Sequence, residues 1–297
     1  MPLFTSPADV RERLAATGYL ADDAIATTVF LADALGKPLL VEGPAGTGKT
    51  ELAKAVAAAA DAGLVRLQCY EGLDEARALY EWNYRKQLLA IQVSKDEATE
   101  EAAAESTAER WQEVSHNIFS EEFLLSRPLL TAIRRDEPTV LLIDETDKAD
   151  VEVEGLLLEV LSDFQVTVPE LGTIAATRKP FVVLTSNATR ELSEALKRRC
   201  LFLHVDYPDA EREKAIVLTR VPEVPAQLAE QLVRTVRTLR ALELKKAPSI
   251  AESIDWARTL VALGLDTLDE DGVARTLGVV LKHATDHTRA AKELGLN

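Results

Sequence analysis

Apolar residues come in five short runs along the first two thirds of the chain, and stretches of helical spacing separate them. Each run is too short for an ordinary helix and is rich in leucine or β-branched residues, which indicates strands. The predicted core strands are residues 38–41, 64–69, 139–143, 181–184 and 201–205. The run at 139–143 is continuously apolar, as expected for a strand buried on both faces of a parallel sheet. Strands that alternate with helices predict a parallel α/β sheet with right-handed crossovers.

Helical spacing predicts the elements between these strands. We expect helices up to about residue 36, over 50–62, from about 74 to 92 and over 153–161. β-Branched residues on both sides of a Pro-Glu-Leu-Gly turn predict a small hairpin over residues 164–176. The acidic, alanine-rich stretch at residues 94–105 is typical of a solvated helix extension or a loop.

The character of the chain changes after Tyr207-Pro208. Strand-like runs vanish, and helical periodicity dominates the rest of the sequence. The predicted helices are residues 210–219, 227–242, 250–263 and 273–294. We therefore predict an α/β core over residues 1–208 and a smaller all-α domain over residues 209–297.

A glycine-rich loop follows the first predicted strand and leads into an alanine-rich helix. The loop reads Gly43-Pro44-Ala45-Gly46-Thr47-Gly48-Lys49-Thr50, which fits the phosphate-binding P-loop in its strand–loop–helix context. The glycines allow a tight turn whose N–H groups point at phosphate oxygens, and the helix N-terminus adds its dipole. Lys49 is expected to reach the β- and γ-phosphates, and the Thr50 hydroxyl to bind Mg²⁺. The loop therefore predicts binding of a nucleoside triphosphate.

Three further signals lie next to predicted strands. Asp144 and Glu145 end a buried strand in the Walker B arrangement, where Asp144 would hold Mg²⁺ and Glu145 would polarise the attacking water. Asn187 ends a later strand and would hold that water or a γ-phosphate oxygen, although asparagine there is ordinarily a turn residue. The basic cluster at residues 197–199 precedes the last core strand. It is either a solvated helix end or a source of an arginine finger.

Composition narrows the classes of partner. The net charge is −15, from 34 basic and 49 acidic residues, so general attraction to nucleic acid or an anionic membrane is not expected. Cys69 and Cys200 form neither a zinc pattern nor a disulfide framework. No apolar run approaches the roughly 20 residues that span a bilayer. We expect a soluble, cytoplasmic protein without a membrane span.

Taken in order, the four signals resemble those of the AAA+ ATPases, and the resemblance covers nearly the whole chain. It implies ATP and Mg²⁺ as ligands, a P-loop NTPase sheet core and an α-helical lid. It also implies a homo-oligomeric ring, expected to be a hexamer. In that family Asn187 corresponds to the sensor 1 residue and Arg199 to the arginine finger, with Arg198 as the alternative. The finger would reach the γ-phosphate held by the neighbouring subunit.

The hairpin at residues 164–176 is similar to the insert of the MoxR family within the AAA+ ATPases. Residues 68–74 and 80–89 are similar to its CoxD-like subgroup, which is associated with maturing carbon monoxide dehydrogenase. The resemblance implies remodelling of a client enzyme such as a molybdenum hydroxylase, with a von Willebrand factor A domain protein as a partner. One position departs from the family, because residues 247–253 carry no Arg or Lys where relatives often have the sensor 2 arginine. Either the lid senses nucleotide differently, or Arg258, further along the same helix, substitutes for that arginine.

Two other functional classes stay open. One is a nucleotide-controlled binding scaffold with little hydrolysis, against which the intact Glu145, Asn187 and Arg199 argue. The other is a nucleic-acid motor such as a clamp loader or helicase. The charge of −15 and the lack of a basic, aromatic-lined groove argue against it. The choice of ATP over GTP rests on the resemblance, since the phosphate contacts are the same for both.

Overall fold

The computed structural model describes residues 2–97 and 118–296. Its internal contacts divide the chain into two compact units. The terminal unit consists of Met1–Ala34, Val41–Ala59 and Phe202–Asn297, and the central unit of Leu35–Leu40 and Ala60–Leu201.

In the part of the chain that the structure describes, strands are interspersed with helices up to His204, and the elements after it are helical. The strands are β1 (Leu39–Glu42), β2 (Gly63–Gln68), β3 (Tyr80–Trp82), β4 (Leu124–Ser126), β5 (Thr139–Asp144), β6 (Gln165–Val168), β7 (Gly172–Ala175), β8 (Phe181–Ser186) and β9 (Leu201–His204). The helices are α1 (Pro7–Ala16), α2 (Asp23–Leu35), α3 (Lys49–Ala59), α4 (Glu75–Ala78), α5 (Tyr84–Glu97), α6 (Pro128–Arg134), α7 (Val151–Asp163), α8 (Glu194–Arg199), α9 (Ala210–Arg220), α10 (Ala226–Ala241), α11 (Ile250–Ala262), α12 (Glu270–Thr276) and α13 (Ala284–Glu293).

Five strands form the predicted parallel sheet, in the order β2-β5-β8-β1-β9. The register sets Gln68 of β2 beside Asp144 of β5, and Ile143 beside Leu184 of β8. Strands β5 and β8 are buried along their whole length, which agrees with their continuous apolar runs. The α/β fold class predicted from the alternation is confirmed.

The core of the central unit lies between the sheet and helices α6 and α7. Leu129, Leu130 and Ile133 of α6 pack in one cluster with β5 side chains, and Leu157 of α7 joins the same cluster. Ile133 lies three and four residues after Leu130 and Leu129, which places these side chains on one face of α6. The predicted hairpin is also confirmed, because β6 and β7 pair antiparallel after α7.

The helices after β9 pack around a second core in the terminal unit. Leu228, Leu232, Val236 and Leu239 line one face of α10 and are fully buried. The Trp256 ring is also fully buried, and its indole N–H donates to the Thr276 hydroxyl at 2.7 Å. A buried tryptophan needs such a partner, because an unpaired N–H in an apolar core is costly. The all-helical character predicted after residue 208 is therefore present.

The single helix predicted from about 74 to 92 is wrong. Strand β3 interrupts it between α4 and α5, and β3 pairs antiparallel with β4. Trp82 packs edge-to-face on Phe119, with ring centroids 5.3 Å apart, and Glu81 pairs with Arg127 at 2.6 Å. These partners lie far along the chain, so tertiary pairing outweighs the local helical spacing.

The region up to residue 36 is helical as predicted and consists of two helices, while the last predicted helix is divided. Gly18, with φ of +80°, separates α1 from α2, since a left-handed glycine commonly ends a helix. The helix expected over residues 273–294 is α12, a 3₁₀ turn at Leu277–Val279, and α13. Gly278 lies in that turn, where helix propensity is weakest. The acidic segment at 94–105 begins in the last turn of α5, and its part beyond Glu97 lies outside the described residues.

Candidate functional site

The P-loop lies in the terminal unit and joins β1 to α3. Gly43, Gly46 and Gly48 have φ values of +155°, +75° and +93°. Lys49 begins α3, and its buried ammonium donates to the carbonyl oxygens of Gly43 and Pro44, each at 2.7 Å. The loop therefore curls around the ammonium of its own lysine, with Thr50 in the first turn of the helix.

Two of these glycines are required by what lies against them. A Cβ on Gly43 would lie 2.0 Å from the Val205 carbonyl oxygen, and one on Gly46 would lie 2.2 Å from the Ser249 Cβ. The backbone at Val205 cannot easily move away from Gly43, because the Val205 N–H donates to the Glu42 carbonyl at 2.8 Å. Residue 43 must therefore be glycine for the P-loop to keep this path.

Replacing Gly43 by alanine is expected to destabilise the protein by about 1–3 kcal/mol, since the added methyl overlaps backbone atoms. Gly155→Ala is the matched control, because that glycine lies in α7 with open space around it. The control should stabilise the helix by roughly 0.5–1 kcal/mol. Thermal and urea unfolding measure both changes. Equal stability of Gly43→Ala and the wild type would contradict the close packing at Val205.

The Walker B pair lies in the central unit, at the end of β5. Asp144 is 2% exposed. One of its carboxylate oxygens accepts from the Thr185 hydroxyl at 2.6 Å and the other from the Arg66 guanidinium at 2.5 Å. Thr185 also accepts the N–H of Glu145 at 2.9 Å. Strand β8 therefore fixes both members of the pair, and β2 supplies the counter-charge.

Glu145 has a left-handed backbone, with φ of +55° and ψ of +47°. That conformation costs a residue with a side chain on the order of 1 kcal/mol or more, and it persists only where the surroundings impose it. The Glu145 carboxylate accepts from the Gln68 amide at 3.0 Å and from the Lys148 ammonium at 2.7 Å. The hydrogen bond and negative charge of Glu145 raise the pKa of Lys148, so this ammonium stays protonated.

The loop after β8 carries Asn187, which is partly exposed. Asp147, in the 3₁₀ turn after Glu145, holds this loop by accepting from the Thr189 N–H at 3.1 Å and the Thr189 hydroxyl at 2.5 Å. Burial alone would raise the pKa of Asp147, but bonds from Thr189 and from the Asn187 N–H bring it below its ordinary value. The structure therefore brings the segments of Asp144, Glu145 and Asn187 together.

The basic cluster at residues 197–199 forms the last turn of α8. Arg199 is exposed, and its guanidinium donates to the Ser162 hydroxyl at 2.8 Å and to the Ala195 carbonyl at 3.2 Å. Arg198 is also exposed and makes no hydrogen bond or ion pair with the residues that the structure describes. Lys197 pairs with Glu191 at 3.0 Å. The Arg198 side chain is therefore less restrained by hydrogen bonds than the Arg199 side chain.

Sequence reasoning did not single out Arg66, Lys148 or Asp147 as parts of the site. Arg66 and Gln68 alternate along β2, so both side chains leave the same face of the sheet. That pair of polar positions in a predicted core strand was the available signal. Cys69 follows directly, and burial, with the negative charge of Asp144, raises its pKa to about 12. Its thiol is therefore neutral near pH 7 and is a weak nucleophile.

Carboxylate and hydroxyl oxygens are the hard ligands that Mg²⁺ prefers, and in nucleotide sites one or two of them combine with phosphate oxygens and water. In the central unit the buried carboxylate of Asp144 fits that chemistry, and in the terminal unit the hydroxyl of Thr50 does so too. Within residues 2–97 and 118–296, no group of three or more His, Cys, Asp or Glu residues is arranged to hold a metal ion by itself. None of the helices in these ranges is long and apolar enough to cross a membrane.

Known proteins match this chain over most of its length. Uncharacterized protein SAB1265c of Staphylococcus aureus (strain bovine RF122 / ET3-1) is 27% identical over 236 residues, which cover 77% of each chain. Uncharacterized protein SH1500 of Staphylococcus haemolyticus (strain JCSC1435) has the same identity and coverage. Among solved structures, a mutant of Thermotoga maritima RuvB matches with a TM-score of 0.50 and 16% identity, over 99% of this chain and 84% of that one.

The RuvB likeness shows the fold alone: the AAA+ P-loop sheet with a helical C-terminal region. The family is shown by a second comparison. Residues 38–200, more than half of the chain, match the model described as AAA domain (dynein-related subfamily). That range includes the P-loop, the Walker B pair, Asn187 and Arg199. The chain therefore belongs to the AAA domain family, in its dynein-related subfamily.

Proposed function

We propose that this protein is an ATP-hydrolysing AAA+ chaperone of the MoxR type that remodels or matures a client protein complex. One observation carries the hydrolytic part. Thr185 and Asp147 fix the segments of Asp144, Glu145 and Asn187 in one region of the central unit. Nucleotide binding alone requires the P-loop but not a fixed Walker B pair with the Asn187 segment beside it, so their arrangement supports hydrolysis.

In this proposal the P-loop N–H groups and Lys49 bind the phosphates of ATP, and Thr50 and Asp144 are the ligands of Mg²⁺. The bound Mg²⁺ neutralises charge on the phosphate oxygens. Glu145 orients the attacking water and accepts its proton, and Asn187 holds that water or a γ-phosphate oxygen. Glu145 can do so only after its carboxylate has left Gln68 and Lys148, both of which bind it in this structure.

The proposed assembly is a homo-oligomeric ring, with six subunits as our expectation. AAA+ proteins commonly form such rings, and an exposed arginine near the last core strand suits a site shared between subunits. We further propose that residues 1–208 form the core and 209–297 the lid. The CoxD-like resemblance supports a von Willebrand factor A domain protein and an immature metalloenzyme, such as a molybdenum hydroxylase, as cytoplasmic partners.

Lys49→Ala is expected to weaken ATP binding by about 10- to 100-fold, because a charged hydrogen-bond partner of the phosphates is lost. Isothermal titration calorimetry with Mg-ATP measures the change. Lys54→Ala is the matched control, since Lys54 lies in the same helix and pairs with Glu51 at 2.7 Å. ATP affinity that is unchanged in Lys49→Ala would exclude the phosphate-binding role of Lys49.

A nucleotide-controlled binding scaffold is the second candidate. The observation that favours it is the double restraint of Glu145 by Gln68 and Lys148, which hinders proton transfer from water. Phosphate release measured with and without a candidate client distinguishes the two. We expect turnover that rises with the client. Turnover that stays near zero with every client and with the ring assembled would favour the scaffold.

A further inference from the structure

The turn before α11 lies directly against the P-loop, within the terminal unit. The Ile250 N–H donates to the Gly46 carbonyl at 3.2 Å. The Ser249 Cβ occupies the space that a side chain at position 46 would need, at 2.2 Å from a Cβ placed there. Residues 247–253 contain no Arg or Lys, and the contacts of this turn with the P-loop are made by the Ile250 N–H and the Ser249 side chain.

The turn is held from its own side by a capping box. The Ser249 hydroxyl accepts the Glu252 N–H at 3.3 Å, and the Glu252 carboxylate accepts the Ser249 N–H at 2.6 Å. These reciprocal bonds fix the first turn of α11. The Ile250 N–H is one of the helix's unpaired N-terminal donors, and so it is available to the Gly46 carbonyl.

A buried ion pair also holds the turn, through a hydrogen bond to Pro248. Arg240 of α10 donates to both carboxylate oxygens of Glu213 of α9, at 2.6 and 2.7 Å, and to the Pro248 carbonyl at 2.7 Å. Glu213 is fully buried and also accepts the Ser253 hydroxyl at 2.8 Å. The Arg240 guanidinium lies over the Tyr207 ring, 4.4 Å from its centroid. Three helices therefore meet at one guanidinium, next to the residue that precedes the turn.

Stability alone does not explain such a pair. Two buried charges are expensive to desolvate, and an apolar pair of similar volume is often at least as stable. What the pair adds is geometry, because a planar guanidinium with a bidentate carboxylate has a fixed orientation. Here that orientation sets the Pro248 carbonyl and thus the position of Ser249 and Ile250.

We propose that the Arg240–Glu213 pair positions the Ser249–Ile250 turn as a brace on the P-loop, and that bound nucleotide leaves only when the brace moves off Gly46. This inference rests on the proposed nucleotide-binding function. A P-loop cradles phosphate in one backbone path. A hydrogen bond on the Gly46 carbonyl stabilises that path, so its loss speeds nucleotide release.

Ile250→Pro removes the N–H that donates to Gly46 while leaving the helix able to form. Position 250 is the first residue of α11, where proline is well tolerated. Ser249 already has the extended backbone, φ −86° and ψ 172°, that a following proline demands. Ile250→Ala is the matched control, since it also loses the side chain but keeps the N–H.

We expect mant-ADP with Mg²⁺ to dissociate about 3- to 10-fold faster from Ile250→Pro than from Ile250→Ala, in stopped-flow displacement by excess ADP. Circular dichroism confirms that both variants are folded. Equal rates in two folded variants, with normal wild-type binding, would overturn the brace alone. No mant-ADP binding by the wild type would overturn the proposed function and the brace with it.

A second measurement tests the ion pair and does not depend on the proline variant. The double variant Arg240→Met with Glu213→Leu is expected to keep a melting temperature close to that of the wild type while releasing mant-ADP about 3- to 10-fold faster. A purely structural pair predicts the opposite, a lower melting temperature with unchanged release. That result would overturn the positioning role of Arg240.

Discussion

Glu145→Gln is expected to bind ATP like the wild type but to hydrolyse it about 10²- to 10⁴-fold more slowly. The amide cannot accept a proton from the attacking water, whereas its oxygen can still accept from Gln68 and Lys148 as the carboxylate does. The left-handed backbone at this position is no worse for glutamine than for glutamate. Loss of hydrolysis in this variant would therefore report chemistry and not misfolding.

Single-turnover phosphate release and ATP calorimetry measure the two quantities separately. Glu152→Gln is the matched control, because Glu152 is an exposed acid in the first turn of α7. The variant that still binds ATP should also favour the assembled ring, which sedimentation velocity detects. Normal phosphate release by Glu145→Gln would remove Glu145 from the role of water activator.

Arg199→Ala is expected to slow turnover by about 10³-fold or more while ATP affinity changes little, as the loss of an arginine finger does. Arg198→Ala is made in parallel, since Arg198 is the alternative and is unpaired among the residues described. Arg199 must leave the Ser162 hydroxyl and the Ala195 carbonyl to reach a neighbour. If the larger loss falls on Arg198→Ala, the finger is Arg198.

A mixing experiment tests whether the finger acts between subunits. Arg199→Ala subunits keep an intact P-loop, and Lys49→Ala subunits keep an intact arginine. Each variant alone should be inactive, and a mixture should recover part of the wild-type ATPase rate. Lys197→Ala, which removes a cation paired with Glu191 and Glu194 at that helix end, is the control for changed surface charge. A mixture with no recovered activity would contradict a site shared between subunits.

The five-stranded sheet could be predicted because its strands are short, apolar and separated by helices. The P-loop could be predicted because its chemistry depends on residues that are adjacent in sequence. Strand β3 could not, since its partner is Leu124–Ser126, more than 40 residues further along the chain. For the same reason the spacing of nearby apolar residues predicted a helix where the fold has strand β3.

Some residues of the candidate site could likewise be predicted from the sequence, and others could not. Asp144, Glu145 and Asn187 stand at strand ends, where position in the sequence already indicates a role. Their partners are less conspicuous, because Arg66 is marked only by its alternation with Gln68 along β2 and Asp147 lies beyond the end of β5. Only the strand register and the left-handed turn bring these partners to them.

At Glu145 the left-handed backbone favours one residue type, and the proposed chemistry requires another. The backbone there is one that glycine adopts freely and that glutamate adopts only under constraint. A search for thermal stability alone would therefore favour glycine at position 145, and it would discard the carboxylate. Glycine at position 145 would thus favour thermal stability, whereas hydrolysis requires glutamate at the same position.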